Sequence, residues 1–441
     1  MIIMKFGGSA LQTAERIREM AAIVQKHLEQ RPLLVLSAMG NTTENLIDAG
    51  QSALHQSVVF PRIEEFHRNI IAQLGLPPKL IDGLLSELNS LLRGISLIKE
   101  LSSKTRDTLL SFGERMSVRI FSAYLNQLGI ASSYFDGWDA GLITSSDHAR
   151  AEILPESYDR IRESLSDIKG IVPVITGYIA KDRLGNITTL GRGGSDLTAS
   201  IIGKALGVDE IQLWKDVYGI LSADPRLIPE AAPLRQLSFA EAAELAYFGA
   251  KVLHPTSILP AMCAAIPVRV KNHRDPDHLG TLILAEPESR ESGVVAITHK
   301  SHQVLVHITS TRMLGQSGFL ARVFQIFADL KLSVDVIATS EVSISLTLSE
   351  NQLSQLREKI EEIATIKIED SKSIISLIGK VERSSELLEK IMRALNSERI
   401  DVQMISHGAS KTNTSLIVND AEMQRSLAIL YQTFFHPRGQ S

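Results

Sequence analysis

The chain has 441 residues, of which 44% are hydrophobic and 22% are charged, and its formal net charge is −4. This composition is typical of a globular protein with two or three domains, and it offers no basic face for nucleic acid, no apolar run of the roughly 18 residues that a membrane span needs, and no N-terminal signal pattern. A single cysteine, Cys263, excludes an internal disulfide, so we expect a cytoplasmic location, and the small apolar residues around Cys263 predict a buried thiol.

The first half of the chain alternates between apolar strands and amphipathic helices. A strand at 2–6 leads through a glycine turn into a helix at about 13–28, and later strands are predicted at 32–37, 170–177, 187–190 and 210–213. Continuous apolar runs with helices between them predict a doubly wound, mainly parallel α/β sheet. In such sheets ligands bind beyond the carboxyl ends of the strands, where the turns cluster.

Lys5 stands near the end of the first strand, which leads into Gly7 and Gly8. A strand, a glycine turn and a helix in this order point backbone N–H groups and a helix N-terminus at an anion, and Lys5 adds a positive charge. The turn matches neither G-x-x-x-x-G-K-[ST] nor G-x-G-x-x-G, which leaves a phosphate site of another kind possible.

The loop Gly191-Arg192-Gly193-Gly194-Ser195-Asp196 has the composition of an anion-binding loop. Glycines allow positive φ and close approach of backbone N–H groups, and an arginine offers a planar fork that matches a carboxylate or phosphate. Taken alone, the same letters fit a glycine-rich hairpin with a solvated arginine equally well.

Several motifs, taken in order, resemble those of aspartate kinases, which have the amino acid kinase fold. The motifs are Lys5-Phe6-Gly7-Gly8-Ser9, Ser37 to Thr43, Ser111-Phe112-Gly113-Glu114-Arg115, Gly191 to Asp196, Asp224-Pro225-Arg226 and Gly249 to Pro255. The chain departs from the family pattern at Ser9-Ala10, at Lys215-Asp216 and at Leu221, and the last two affect the expected nucleotide contacts.

The resemblance implies ATP-dependent phosphorylation of the β-carboxylate of L-aspartate to 4-phospho-L-aspartate, the first step of the lysine, threonine and methionine pathway. A carboxylate is already ionised at neutral pH, so this reaction needs no general base. It needs groups that position two anions and neutralise the transferring phosphoryl group: lysines, backbone N–H groups, and Mg²⁺ bound with the nucleotide phosphates.

The resemblance also assigns residue roles. The implied catalytic residues are Lys5, Asp196 and Lys251. The implied nucleotide contacts are Lys5, Gly7, Gly8, Ser9, Lys215, Asp216, Leu221, Arg226, Lys251 and Val252. The implied aspartate contacts are Ser37, Thr43, Glu114, Arg192 and Ser195.

Two of these assignments have alternatives, and no protein metal site is expected. Glu114 could simply pair with Arg115 or Arg106 on a helix surface. Lys251 could be a helix C-terminal lysine that interacts with the helix dipole. The histidines lack metal-ligand spacing.

The second half of the chain has a different organisation. A charged stretch with proline and glycine at 285–293 is typical of a linker. Beyond it, a strand, helix, strand, strand pattern at 304–347 is repeated more weakly at 374–418. These two βαββ units resemble paired ACT domains that bind amino acids. We therefore expect a catalytic domain at 1–284, a linker at 285–293, and regulatory units at 294–370 and 371–441.

The first βαββ unit resembles the effector site of lysine-inhibited aspartate kinases, which implies feedback inhibition by lysine. The implied contacts are Met313, Gln316, Gly318, Phe319, Leu320, Val334, Asp335, Ser340 and Glu341. On composition alone, a satisfied turn and two exposed acids fit as well. Small half-open sheets pair edge to edge, so a homodimer or higher homo-oligomer is expected.

Other functions stay open at this stage. A kinase of glutamate or acetylglutamate would share the phosphate loops, and a non-enzymatic amino acid sensor would use only the ACT pair. Threonine or no effector could replace lysine. A fused homoserine dehydrogenase is not expected, because the chain stops at Ser441.

Overall fold

The computed structural model describes residues 1–55, 60–165, 168, 170–249, 252–287, 293–310, 317–349 and 353–436. Its internal contacts divide the chain into two units. The first comprises Met1–Ile220, Arg235–Phe239 and Val252–Pro287, and the second comprises Leu221–Leu234, Ala240–Lys251 and Glu288–Ser441. Residues 221–234 and 240–251 therefore group with the second unit, although the sequence places them in the catalytic domain. The domain boundaries themselves stay predictions.

Strands and helices alternate through the first two thirds of the chain. In order they are β1 (Ile2–Phe6), α1 (Ala14–Lys26), β2 (Pro32–Leu36), α2 (Thr42–Leu54), α3 (Phe60–Leu74), α4 (Asp82–Ile98), α5 (Ser103–Gln127), β3 (Ser132–Phe135), β4 (Ile143–Thr144), α6 (Ser157–Leu165), β5 (Val172–Thr176), β6 (Ile179–Asp182), β7 (Ile187–Thr189), α7 (Gly194–Leu206), β8 (Glu210–Lys215), β9 (Gln236–Ser238), α8 (Phe239–Phe248), α9 (Leu259–Cys263), β10 (Val268–Asn272) and β11 (Thr281–Leu284).

The first unit is built on an eight-stranded sheet in the order β3-β5-β2-β1-β8-β10-β11-β9. All neighbouring pairs are parallel except β10 and β11, which confirms the mainly parallel sheet. Every residue of β1, β2 and β5 is buried, as expected for central strands covered on both faces. Strands β4, β6 and β7 form a separate small sheet.

The core of this unit lies where α1 and α5 pack against the sheet. Phe6 on β1, Phe121 on α5 and Trp214 on β8 are all fully buried, and the ring centroid of Phe6 lies 6.2 Å from that of Phe121 and 6.1 Å from that of Trp214. Helix α5 starts cleanly because Ser102 caps it, its hydroxyl accepting from Thr105 N at 3.2 Å. This packing fixes the long α5 helix, which carries Glu114, against the strands whose ends carry Lys5 and Lys215.

The remaining elements belong to the second unit. They are β12 (Ala296–Thr309), α10 (Phe319–Asp329), β13 (Val334–Thr339), β14 (Ser343–Ser349), α11 (Leu353–Glu361), β15 (Thr365–Ile378), α12 (Ser384–Ser397), β16 (Met404–His407), β17 (Asn413–Asn419) and α13 (Asp420–Phe435). They contain the repeated strand, helix, strand, strand order twice, and the strands form one six-stranded sheet, β13-β14-β12-β15-β17-β16.

The two repeats share their first strands. The C-terminal half of β12 pairs with β14 and with the N-terminal half of β15, whereas Ala296–Lys300 of β12 pairs with Ile374–Ile378 of β15. The register shifts between Lys300 and Leu305, close to Ser371, whose φ is 56°. The predicted division at 370/371 thus falls inside one long strand, at an irregularity that separates its two pairing partners.

Two further observations concern the surface and membranes. Cys263 is exposed, so the prediction of a buried thiol is wrong. It is the last residue of the five-residue helix α9, in which Ala261 is the buried residue.

Within the described ranges, no helix is both long and apolar enough to cross a bilayer.

Gly280 should be essential for the turn between β10 and β11. Its φ is +69°, and a Cβ there would lie 1.9 Å from the Val270 carbonyl oxygen. We expect Gly280→Ala to lower the free energy of unfolding by about 2 kcal/mol or more. Gly94→Ala, within α4 and with nothing within 4 Å of the added Cβ, is the control and should stabilise by about 0.5–1 kcal/mol. Urea unfolding measures both, and equal effects would contradict the steric account.

Candidate active site

A cavity of about 580 Å³ opens in the first unit between α5, the end of β1 and the loop before α7. All the predicted aspartate contacts line it, together with Lys5 and Asp196. Its wall consists of Lys5, Ser37, Thr43, Glu44, Ile47, Arg106, Asp107, Leu110, Glu114, Ala149, Tyr178, Thr189 and the loop Gly191, Arg192, Gly193, Gly194, Ser195 and Asp196.

One end of the cavity is a buried ion-pair cluster. Lys5 Nζ lies 2.6 Å from Asp196 Oδ1, and Lys215 Nζ lies 2.8 Å from Asp196 Oδ2. Burial alone would raise the pKa of Asp196, but the charges of Lys5 and Lys215 outweigh it and hold that pKa well below its usual range. Burial lowers the pKa of Lys5, and its contact with Asp196 opposes that change. The carboxylate therefore holds two amines in fixed positions beside the cavity.

The glycine-rich loop owes its shape to backbone conformations that favour glycine. Gly193, the residue before α7, has a φ of 75°, and a Cβ there would lie 2.7 Å from the Cβ of His254. This turn places Ser195 and Asp196 in the first turn of α7. The Ser37 hydroxyl donates to Ser195 Oγ at 3.0 Å, and Arg192 is exposed at the cavity wall. The loop thus contributes the Ser195 hydroxyl and the Arg192 guanidinium to the cavity wall.

Glu114 is buried at 3% exposure inside the cavity wall. The backbone N–H of Ala38 donates to its Oε1 at 3.2 Å, whereas Oε2 has no hydrogen-bond partner among the described residues. Burial raises the pKa of Glu114 to about 8, against the opposing effects of that N–H and of Lys5. The alternative of a surface pair with Arg115 is wrong, because Arg115 instead lies against Glu87 and Asp136. An orphaned buried carboxylate oxygen is a natural partner for a ligand ammonium.

The predicted nucleotide contacts are only partly brought together. Gly7, Gly8 and Ser9 directly follow β1, and a Cβ on Gly8 would lie 2.8 Å from the Ala38 carbonyl oxygen. Lys215 belongs to the ion-pair cluster because it contacts Asp196. Asp216 follows it at the end of the same strand and is exposed, and Val252 is half-buried.

Leu221 and Arg226, two further predicted nucleotide contacts, are not among the residues that line the cavity. Leu221 and Arg226 belong to the second unit, where Leu221 bridges to Pro233 and the exposed Arg226 pairs with Asp224 at 2.6 Å. Lys251 lies outside the described residues.

Sequence reasoning missed part of the cavity wall. Arg106, Leu110 and Glu114 recur every four residues along one face of α5, a helical periodicity that could have identified the first two. Asp107 has the same signal, because it precedes Leu110 by three residues and Glu114 by seven on α5, whereas Tyr178 and Thr189 come from separate segments without one.

The predicted effector residues are spread over the second unit. Asp335 has a side chain only 4% exposed; it pairs with Lys300 Nζ at 2.7 Å and accepts a hydrogen bond from the Tyr247 hydroxyl at 2.8 Å. Burial, followed by this bond to Asp335, raises the pKa of Tyr247 to about 12. These residues line a cavity of about 490 Å³ that also includes Leu330, Lys331, Leu332, Ser333 and Ser349. Asp335 is therefore neither exposed nor unpaired, contrary to the alternative of an exposed acid.

The other predicted effector residues that the structure describes do not line that cavity. Gly318 precedes α10 with a φ of 85°, Phe319 is buried, and Val334 is half-buried. Leu320, Ser340 and Glu341 are exposed. Met313 and Gln316 lie outside the described residues.

A metal would find few protein ligands at the cavity. The described ranges contain no group of three or more histidine, cysteine, aspartate or glutamate side chains that could hold an ion. Both oxygens of Asp196 already contact lysines. The donor set therefore fits a metal that arrives with phosphate oxygens rather than one held in a protein cage.

This fold and cavity define an amino acid kinase. The model of the amino acid kinase family matches residues 1–272, and the ACT domain model matches residues 306–362 and 375–434. The chain is 47% identical to chloroplastic aspartokinase 2 of Arabidopsis thaliana, over 98% of this chain and 84% of that protein. It is 31% identical to lysine-sensitive aspartokinase 3 of Escherichia coli, over 99% of each. The chain belongs to the aspartokinase family and is an aspartate kinase.

Two solved structures of an aspartokinase also resemble this chain over nearly its whole length. The structure of E. coli aspartokinase III with aspartate and ADP (R-state) superposes with a TM-score of 0.83 at 30% identity, covering 99% of this chain and 100% of that one. The structure of the same enzyme with lysine and aspartate (T-state) gives 0.79, with the same identity and coverage.

The raised pKa of Glu114 predicts a pH-dependent stability. Its pKa is about 8 in the folded chain against 4.5 for the free side chain, so the folded state binds this proton more tightly. The stabilisation of the folded state by this proton is fully present below about pH 4.5 and is lost as the pH rises through about 8. Glu114→Gln stays neutral, so its free energy of unfolding relative to the parent should increase between about pH 5 and pH 8. Urea unfolding of both proteins measures this, and a pH-independent difference would contradict it.

Proposed function

We propose that this aspartate kinase transfers the γ-phosphoryl group of ATP to the β-carboxylate of L-aspartate and releases 4-phospho-L-aspartate, the first step towards lysine, threonine and methionine. The observation that carries the proposal is that one cavity holds the Lys5–Asp196 ion pair together with Glu114 and Arg192. Lys5, held by Asp196, suits a transferring phosphoryl group, and Glu114 and Arg192 suit the ammonium and the carboxylate of an amino acid.

The aspartate end of the cavity is proposed to work by charge pairing. The α-ammonium lies against the unpaired oxygen of Glu114 and, as a nearby positive charge, lowers the pKa of that group and favours its ionised form. The α-carboxylate takes the two parallel N–H groups of Arg192. The hydroxyls of Ser37, Thr43 and Ser195 complete the contacts. With both α-groups held, the β-carboxylate is the group left to face Lys5, and as an ionised nucleophile it needs no base.

Lys5 is proposed to neutralise charge on the phosphoryl group during transfer, with Lys251 approaching the same phosphates. Asp196 keeps Lys5 and Lys215 from separating, so the amines do not have to reorganise during the reaction. It acts as an organiser and not as a base, since a carboxylate with so low a pKa is a poor proton acceptor.

ATP is proposed to bind where the glycine turn follows β1. Gly7, Gly8 and Ser9 offer backbone N–H groups, while Lys215, Asp216, Leu221, Arg226 and Val252 are proposed to contact the rest of the nucleotide. Mg²⁺, bound to the phosphates, would supply charge neutralisation. We also propose that the enzyme is cytoplasmic and forms a homodimer or higher oligomer through its ACT units.

Arg192→Lys tests the assignment of the substrate carboxylate. Lysine keeps the charge but loses the planar fork, so the KM for aspartate should rise about 10-fold to 100-fold while the KM for ATP changes little. Trapping the acyl phosphate with hydroxylamine follows the reaction, and mass spectrometry shows whether the hydroxamate is on the β-carbon.

Three results would contradict the proposed function. They are equal rises in both KM values, an α-hydroxamate, or equal turnover with glutamate.

Lysine is the proposed feedback inhibitor, bound in the second unit. Support comes from Asp335, a buried carboxylate that already holds an ammonium group, that of Lys300, within a cavity large enough for an amino acid. Contacts from Met313, Gln316, Gly318, Phe319, Leu320, Val334, Ser340 and Glu341 are proposed to complete the site. Free lysine inhibits only if it binds the less active state more tightly.

Asp335→Asn should weaken inhibition by lysine without changing uninhibited turnover. The amide keeps the shape but lacks the charge that attracts an ammonium, so the lysine concentration for half inhibition should rise about 10-fold or more. Initial rates at increasing lysine and threonine measure this, with Asp329→Asn, at the exposed end of α10, as the control. Unchanged inhibition by lysine would exclude Asp335 from the effector site.

A further inference from the structure

Asp107 is the buried acidic group of the cavity that the proposed reaction does not use. It lies on α5, seven residues before Glu114, and is fully buried at 0% exposure while its carboxylate lines the cavity. A carboxylate is removed from water at such a place only if hydrogen bonds replace its hydration. The partners of Asp107 therefore show what it does.

Three donors from two distant segments converge on this carboxylate. Asp107 Oδ1 accepts from the Thr189 hydroxyl at 2.7 Å. Oδ2 accepts from the backbone N–H of Ala149 at 3.0 Å and lies 2.9 Å from His148 Nδ1. Both oxygens are thus engaged by groups of this chain, so Asp107 acts through the segments that it holds.

The first of these segments is the turn that contains Ala149. Its φ is 72°, a left-handed conformation that an alanine adopts at a cost and keeps only when its surroundings impose it. The hydrogen bonds of its N–H to Asp107 are such a constraint. The Ala149 carbonyl oxygen in turn packs against Gly191, 3.3 Å from where a Cβ would stand.

The second segment is the end of β7. Thr189 is its last residue, two positions before Gly191, and its carbonyl also accepts from the Ala151 N–H at 2.9 Å. The Ala149 turn and β7 are therefore fastened to each other and to Asp107. Both lie directly beside the start of the loop that carries Arg192.

We infer that Asp107 is a positioning residue, which fastens the Arg192 loop to helix α5 and so sets the distance between the Glu114 carboxylate and the Arg192 guanidinium. The inference rests on the proposed roles of those two side chains in binding aspartate. Glu114 and Asp107 share one rigid helix, so a group held by Asp107 is held in register with Glu114. Among the described residues, the hydrogen bonds of Asp107 go to His148, Ala149 and Thr189 and not to Lys5 or Asp196 at the proposed ATP end of the cavity.

Asp107→Asn separates this role from general stability. Asparagine has the same shape but no charge, so the contacts with the Ala149 N–H, the Thr189 hydroxyl and the His148 imidazole lose their charge assistance and weaken. The KM for aspartate should rise about tenfold, while the KM for ATP stays within about twofold. The hydrogen exchange of the Ala149 and Gly194 amides should become faster, which reports the fastening without reference to substrate.

Asp136→Asn is the matched control. Asp136 is also buried in the first unit and accepts two hydrogen bonds from Arg119 at 3.0 and 3.1 Å, but it does not line the cavity. Its loss should lower the melting temperature without raising the KM for aspartate. If Asp107→Asn behaves in the same way, the inference is overturned and Asp107 is structural only.

Thr189→Val decides the case in which Asp107→Asn does not fold. It removes only the hydroxyl donor, and the KM for aspartate should rise about threefold with the KM for ATP unchanged. An unchanged KM for aspartate in Thr189→Val, or unchanged amide exchange in a folded Asp107→Asn, overturns the inference. Failure of the proposed function would give a different result. Arg192→Lys would then leave the KM for aspartate unaltered, while amide exchange at Ala149 would still be faster in Asp107→Asn.

Discussion

The bridge that Asp196 forms between Lys5 and Lys215 is the interaction on which the rest of the active site depends. Strands β1 and β8 are parallel neighbours, so both lysines emerge at the same sheet edge, where two ammonium groups alone would repel. Asp196, in the first turn of α7, lies between them at 2.6 and 2.8 Å. Removing one member of a buried ion pair leaves an uncompensated charge and costs about 3–5 kcal/mol. The Gly193 turn, the start of α7 and the two strand ends are therefore fixed together by one carboxylate.

The three buried carboxylates of the cavity differ in how completely they are satisfied, and this difference defines their roles. Asp196 is neutralised by two lysines, and Asp107 is held by hydroxyl, amide and imidazole donors. Glu114 has one backbone donor and an orphaned oxygen, and its pKa rises to about 8. A group that the fold leaves unsatisfied is where ligand binding gains most, because the ligand supplies the missing partner. This is the basis for proposing that the substrate ammonium binds at Glu114.

Features that depend on local sequence patterns could be predicted, whereas contacts between distant segments could not. The parallel sheet, the Lys5 turn, the Gly191–Asp196 loop and the two βαββ repeats follow from periodicity and glycine spacing, which act over a few residues. Asp107 meets Ala149 and Thr189 across 42 and 82 residues, and nothing in either stretch indicates the other. The sharing of β12 and β15 between the repeats was equally hidden, because the apolar alternation runs through the register shift that divides each strand. Cys263 was misplaced because five residues of helix α9 give too little periodicity to show which side faces the core.

Asp196 and Asp335 form similar ion pairs with lysine that differ in exposure, and this difference matches the different roles proposed for them. The lysine side chains at Asp196 are 9% and 20% exposed, whereas Lys300 at Asp335 is 30% exposed and reaches its partner through a cavity that can admit a small molecule. Replacing Lys300 by the ammonium of a bound amino acid keeps the Asp335 carboxylate satisfied, and the released Lys300 head can return to water. The electrostatic part of the free energy of this exchange is then small, since one ammonium replaces another. Selectivity for one effector must therefore come from the groups of the ligand other than its ammonium, and those groups are what the rest of the site has to recognise.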